Sequence, residues 1–243
     1  MFSLEGYSFS EKVFESGSTV VYRGTKHENN LPVIAKIIRS EYPHPDELER
    51  FVYGYQIVKE FNLPGMIKAY DLENVGHRKA FIMEDIGAIS LRDYLKENTI
   101  DLKTFLKIAI SIVGILESVH KHNIIHKDIK PSNILLIPKT YETRLIDFNF
   151  ASQVNEDSVL EMNHDKLEGT LAYIAPEQTG RINRAITFQT DLYSLGITLY
   201  EVLTGRLPFN YSDRLEMVHA HIAIEPVAPE INSDIPRAIS MII

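Results

Sequence analysis

The chain has 243 residues, a formal net charge of −8 and no cysteine. That length buries a sizeable core in one large domain or one domain of two lobes. The acidic balance excludes a nucleic-acid surface or an anionic membrane as the main partner, because either calls for a basic patch. Without cysteine there is no disulfide framework, thiolate metal site or thiol nucleophile, which suits a reducing cytoplasm. The apolar run Ile108–Leu116 falls short of the roughly 18 residues a membrane helix needs, and Met1–Gly6 has neither the charged start nor the cleavage site of a signal peptide.

In chain order, Tyr7–Phe14, Thr19–Arg23 and Leu31–Ile38 read as strands of one sheet, separated by turn residues. The turn Glu15–Thr19, one glycine with two serines, is by itself ordinary hairpin chemistry. Lys36 stands among Val33, Ile34, Ala35, Ile37 and Ile38; it either points out on the solvent face of its strand or has a partner, since an unpaired buried ammonium is costly. Pro43 and Pro45 break the chain before Asp46, which is expected to cap a helix over 46–61 with Leu48, Phe51, Tyr55 and Val58 inward. Gly54 weakens that helix by about 1 kcal/mol. Two strands follow, Met66–Leu72 and Ala80–Glu84, then a short helix capped by Ser90. A long helix over 101–122 carries Phe105, Ile108, Ala109, Ile112, Ile115, Leu116 and Val119 on one face.

The stretch Ile124–Leu136 reads as a short strand, a polar loop and a second short strand. Asp128 is followed five residues later by Asn133, and Asp147 closes another apolar run, so three oxygen-bearing side chains are expected on loops leaving one sheet. A metal site of His120, His122 and His126 is set aside, as no cysteine or matching carboxylate spacing supports it. Residues 151–168 read as a mobile polar loop. Asp191 is expected to begin a buried helix to Leu203, closed by Gly205 and Pro208. Further helices cover 212–222 and start near Pro236.

Lys36 in Val-Ile-Ala-Lys, Asp128 and Asn133 in His-Lys-Asp-x-x-x-x-Asn, Asp147 in Asp-Phe-Asn, Ala175-Pro-Glu177 and Asp191 resemble, in that order, the motifs of a eukaryotic-type Ser/Thr protein kinase domain, over essentially the whole chain. The resemblance implies an α+β, two-lobed fold: an N-lobe of antiparallel sheet plus one helix over 7–84, and a mainly helical C-lobe over 85–243 that lacks its last helices. It implies ATP and Mg²⁺ as cofactors and a protein with a Ser or Thr hydroxyl as substrate. Asp128 would orient that hydroxyl, Lys36 would grip the α- and β-phosphates, and Lys130 would offset charge on the transferring phosphoryl. Asn133 and Asp147 would hold Mg²⁺. Nucleotide contacts would come from Val13, Ser16, Gly17, Thr19 and Val21 around the flap, from Ile34 and Leu135, from Met83 at the back of the pocket, and from backbone groups of Glu84 and Ile86 in the hinge. Thr170 would bond Asp128 and Lys130, His126 would pack beneath the loop, and Asp191 would brace it.

The chain departs from the family at several places. Gly17 is the sole glycine of the flap, and Gly54 stands where the glutamate partner of the strand lysine is expected. Glu47 lies on the same side of that helix but about 10 Å along the axis. Lys127 replaces an arginine, which sets the chain apart from kinases that depend on a phosphorylated activation loop. Asn149 replaces a glycine, where its tolerance of left-handed backbone would keep the turn. Residues 167–222 look like the N-terminal kinase domains of bacterial sensors that also carry ATPase-like, GAF and histidine-kinase regions, which makes further sensor domains expected partners. The chain reads as a truncated relative or excised fragment, ending before the helix whose arginine pairs Glu177 and leaving Ile235, Ile239 and Ile242 less covered. Two functions stand: a kinase moving the γ-phosphoryl of ATP to Ser or Thr, and a pseudokinase-like module that binds ATP or partners without transfer.

Overall fold

A computed structural model describes residues 3–154, 170–229, 235–241 and 243. Most of the expected loop 151–168, together with Gly169 and Ile242, lies outside the described residues. The chain divides into two compact units, Met1–Ala88 and Ile89–Ile243. The fold is the α+β arrangement expected, with a sheet-rich first unit and a second in which helices predominate.

The first unit is a five-stranded antiparallel sheet with one helix. Its strands are β1 (Tyr7–Glu15), β2 (Thr19–Lys26), β3 (Leu31–Ile38), β4 (Ala69–Val75) and β5 (Arg78–Glu84), in the spatial order β1-β2-β3-β5-β4. Alternation along β3 separates two faces. Val33, Ala35 and Ile37 join Tyr7, Ala80 and Ile82 in one buried cluster. The other face carries Ile34 and Lys36, whose cross-strand partners are Met83 and Phe81 on β5, with Val21 opposite Lys36 on β2. The helix α1 (Pro45–Phe61) covers this second face, where the Tyr55 ring meets Phe81 edge-on at 5.2 Å.

Two details of α1 differ from expectation. Its N-cap is His44, whose ring accepts the Asp46 N–H, because Pro45 fits the first helical position, where no N–H is needed. Its buried stripe is Phe51, Gly54, Ile57 and Val58, so Leu48 and Tyr55 lie at its margins.

The second unit opens with β6 (Ile89–Ser90), α2 (Leu91–Glu97) and α3 (Leu102–Lys121). Ser90 caps α2 and Asp101 caps α3, and all seven inward residues expected on α3 are buried. Short strands follow: β7 (Ile124–Ile125), β8 (Ile134–Leu136), β9 (Thr143–Leu145) and β10 (Ser152–Gln153). They form two sheets and not one, β10-β7 and β6-β8-β9. Asp128 therefore follows a strand of one sheet, whereas Asn133 and Asp147 flank strands of the other. The helix α4 (Phe188–Thr204) begins three residues before Asp191, since Thr187 is its cap, and it ends at Gly205 with φ +71°. The helices α5 (Arg214–Ala223), capped by Asp213, and α6 (Arg237–Ser240) complete the unit. Among the described residues no helix is long and apolar enough to cross a membrane.

Candidate active site

In the first unit, strand register puts Val21, Ile34, Lys36 and Met83 on one sheet face. The half-buried Lys36 has its Nζ 5.9 Å from the centroid of the Phe51 ring on α1. The position expected to hold a glutamate, Gly54, is buried one turn further along, and among the described residues Glu47 forms no ion pair. The turn joining β1 and β2 is closed by Ser16, whose N–H donates to the Thr19 carbonyl at 2.8 Å and whose hydroxyl accepts the Thr19 N–H at 3.0 Å. A Cβ added at Gly17 would meet nothing within 4 Å, so packing places no demand for glycine there. Val13 is exposed on β1.

Further along, Glu84 exchanges two bonds with Lys68. The Glu84 N–H donates to the Lys68 carbonyl at 3.0 Å, and Glu84 Oε1 accepts the Lys68 N–H at 2.9 Å. Asp85 holds Arg23 Nε at 2.6 Å, which keeps that guanidinium firmly charged, and also accepts the Gly87 N–H. These contacts order the strand end that leads into Ile86.

In the second unit the polar groups converge on Asp128, which is nearly fully buried. Lys130 Nζ donates to Asp128 Oδ2 at 2.6 Å, and Asn133 Nδ2 donates to the same oxygen at 2.8 Å and to the Asp128 carbonyl at 2.8 Å. Thr170 donates to Oδ1 twice, from its N–H at 3.2 Å and its hydroxyl at 3.1 Å, and its hydroxyl accepts from Lys130 Nζ. A carboxylate in this position has its acceptor sites filled by charge-assisted bonds and one lysine for its charge.

The loop around it is held from below. His126 is fully buried; its Nδ1 accepts the Asp128 N–H at 3.2 Å and its Nε2 lies 3.0 Å from the Ile146 carbonyl, which fixes the neutral tautomer protonated at Nε2. Its ring meets Phe148 edge-on at 4.6 Å. Asp191, also fully buried, accepts the His126 and Lys127 N–H groups at 2.8 Å each and a bond from His120 Nε2 at 2.9 Å. Of the three histidines that invited a metal reading, His120 and His126 thus brace the loop, and the exposed His122 lies 2.8 Å through Nδ1 from the Ser118 carbonyl at the end of α3.

Asn133 and Asp147 are tied through the backbone, as the Ile146 N–H donates to the Asn133 carbonyl at 3.0 Å and β8 pairs with β9 beside it. Leu135 sits half-buried between them on β8. The turn after β9 is made by Asp147 itself, with φ +68°; Asn149 lies inside the short 3₁₀ turn Phe148–Phe150 and is not left-handed. The asparagine expected to supply the turn is therefore two residues past it. Glu177 accepts from the Thr190 hydroxyl at the start of α4. One residue that sequence reasoning missed is Gln178, which is buried and reaches both Lys127 and Ala175.

Comparison with known proteins meets this geometry. A profile described as the protein kinase domain matches residues 7–241. The chain is 29% identical over 240 residues to the probable serine/threonine-protein kinase CPE1738 of Clostridium perfringens, covering 98% of this chain and 34% of that protein. It is 30% identical over 214 residues to the serine/threonine-protein kinase PrkC of Bacillus subtilis, covering 87% and 32%. It is 29% identical over 238 residues to PknL of Mycobacterium tuberculosis, covering 97% and 56%. The chain thus spans about a third of the length of the first relatives it matches. Buried acid, bracing aspartate and family profile agree from one end of the described chain to the other: this chain belongs to the protein kinase domain family.

Proposed function

We propose that the chain transfers the γ-phosphoryl of ATP to a Ser or Thr hydroxyl of a protein. The observation that carries this reading is the Asp128 carboxylate held by Lys130, Asn133 and Thr170. Oδ1 receives an aliphatic hydroxyl, that of Thr170, so the geometry of this oxygen suits a hydroxyl of the kind that a Ser or Thr substrate brings. Asp128 orients the nucleophile and takes its proton as the oxygen attacks phosphorus, while the bond from the γ-phosphorus to the bridging oxygen of ADP breaks. Lys130, a point charge beside the acid, balances charge on the phosphoryl in flight. Lys36 is assigned to the α- and β-phosphates, and the sheet face it shares with Val21, Ile34 and Met83 to the nucleotide, together with Ser16, Gly17 and Thr19 of the turn and Leu135.

The residues present suit a hard divalent cation. Asn133 commits its amide nitrogen to Asp128, which leaves an amide oxygen as its ligand atom, and Asp147 adds a carboxylate; Mg²⁺ takes such oxygens readily. When bound, the ion would neutralise phosphate charge. The chain's own part is to hold Asn133 beside Ile146 and to set Asp147 at the left-handed turn that ends β9.

Label transfer from Mg-ATP to a generic protein substrate tests the reading, with Asp128→Asn as the control. The expected result is transfer by the wild type and a loss of about 10²-fold or more in the variant. Label that survives in Asp128→Asn, or that never appears while ATP still raises the melting temperature, would favour the binding module suggested by Gly54 and the glycine-poor turn. The relatives, named as kinases, favour transfer.

A further inference from the structure

Lys127, the residue before Asp128, holds φ at +65°. Left-handed backbone is unfavourable for a residue with a Cβ and persists where neighbours over-determine it. Two buried side chains do so here. Asp191 Oδ1 accepts the Lys127 N–H at 2.8 Å, and Gln178 Nε2 donates to the Lys127 carbonyl at 2.8 Å. Gln178 is 5% exposed, and its Oε1 accepts the Ala175 N–H at 3.1 Å. One planar amide is thereby used at both ends. Its N–H donates to the loop that carries Asp128, and its oxygen accepts from the segment that leads back to Thr170. That segment touches the loop twice, through Thr170 at the Asp128 carboxylate and through Gln178 at the preceding carbonyl.

We infer that Gln178 is a positioning residue for phosphoryl transfer: its amide sets the register of residues 170–179 on the loop 126–130, and so fixes where the Asp128 carboxylate stands. The inference rests on the kinase reading above. Gln178 touches no reacting atom and acts through Lys127.

The side chain has a near-isostere that separates positioning from bulk. In Gln178→Glu the ionised carboxylate still accepts from Ala175 but sets its second oxygen against the Lys127 carbonyl, acceptor against acceptor. Protonated, the same group donates again and reproduces the amide. Burial and the facing carbonyl both raise the pKa of such a carboxyl, so a fall in pH restores the bond.

The experiment measures kcat and KM for wild type, Gln178→Glu and Gln178→Ala from about pH 5.5 to about pH 8.5, a range that spans a raised carboxyl pKa. Melting temperatures and hydrogen exchange at residues 126–129 and 174–178 are recorded alongside, each relative to wild type at the same pH. Gln178→Glu is expected to lose about tenfold in kcat at the alkaline end, the worth of a hydrogen bond, and to recover towards wild type as pH falls, with KM for ATP unchanged. Gln178→Ala is expected to be impaired throughout without recovery, and loop exchange should quicken in each variant where its kcat is low. A Gln178→Glu to wild-type kcat ratio that is the same at every pH, or loop exchange unaltered in both variants, overturns the inference. Wild-type protein inert towards Mg-ATP would instead fail the kinase reading, and the exchange pattern, which needs no turnover, would still confirm or overturn the hold of the amide on the loop.

Discussion

Every acceptor position of Asp128 is met by this chain itself, and Thr170 is the contributor whose removal reads most cleanly. Thr170→Ala deletes the hydroxyl that bonds both Asp128 Oδ1 and Lys130. A hydrogen bond to a charged group contributes about 1.5–3 kcal/mol, so a loss of about tenfold or more in kcat is expected. Thr170→Ser, which keeps the oxygen, should stay near wild type. Steady-state rates check this, and equal rates for Ala and wild type would contradict it.

His221 on α5 offers a test of stability. It is buried, 2.8 Å through Nδ1 from the Tyr193 hydroxyl and edge-on to Phe209. Burial pushes its imidazole down to about 4 from the usual 6.5. A histidine whose folded pKa is depressed takes its proton first in the unfolded state, so above about pH 6.5 it costs nothing. Between there and about pH 4 folding weakens by up to about 1.4 kcal/mol per pH unit, roughly 3 kcal/mol in all. Denaturant titrations of wild type across that window should show the slope, and those of His221→Gln should lack its share of it; identical slopes would contradict the assignment.

Asp128, Asn133 and Asp147 were singled out by local spacing, and the structure ties Asn133 to Asp128 through its amide and to the strand end before Asp147 through the Ile146 N–H. The bracing of the loop was legible in part, through Asp191. What escaped is long-range and backbone-directed: the partner of Gln178 is a main-chain carbonyl 51 residues away. The left-handed turn was placed at Asn149 on residue preference, but it falls where β9 ends, at Asp147.

Among the elements, α3 was readable almost to the residue, since its apolar stripe and its Asp101 cap are local features. The start of α1 was not, because Pro45 tolerates the first helical position and moves the cap to His44. The β1–β2 pairing carries register shifts between Phe9 and Glu11 and between Lys12 and Phe14, and these lie outside any alternation pattern. Gly24 stands opposite Phe9 at the first of them. A Cβ there would collide with the Ser8 carbonyl oxygen and the Phe9 ring. Gly24→Ala is therefore expected to destabilise the first unit by about 1–3 kcal/mol, the usual cost of overpacking. Denaturant melts would check it; an unchanged midpoint would mean the strands can part without cost.

On the scale of the whole molecule, the order of five motifs along the chain identified the family, while no single one of them would have sufficed. The acidic charge and absence of cysteine bounded the partners without naming one. Gly54 is the departure with the widest bearing, because it stands where the family resemblance expects a glutamate facing Lys36; the Phe51 ring on α1 lies 5.9 Å from the Lys36 Nζ. On the proposed function, a chain so built still delivers phosphate to an aliphatic hydroxyl through Asp128.

The identity of the phosphorylated residue tests that most directly. After incubation of a generic protein substrate with labelled Mg-ATP, acid hydrolysis should yield phosphoserine or phosphothreonine with the wild type and neither with Asp128→Asn. Phosphotyrosine, or phosphoserine made equally well by the variant, would contradict the account.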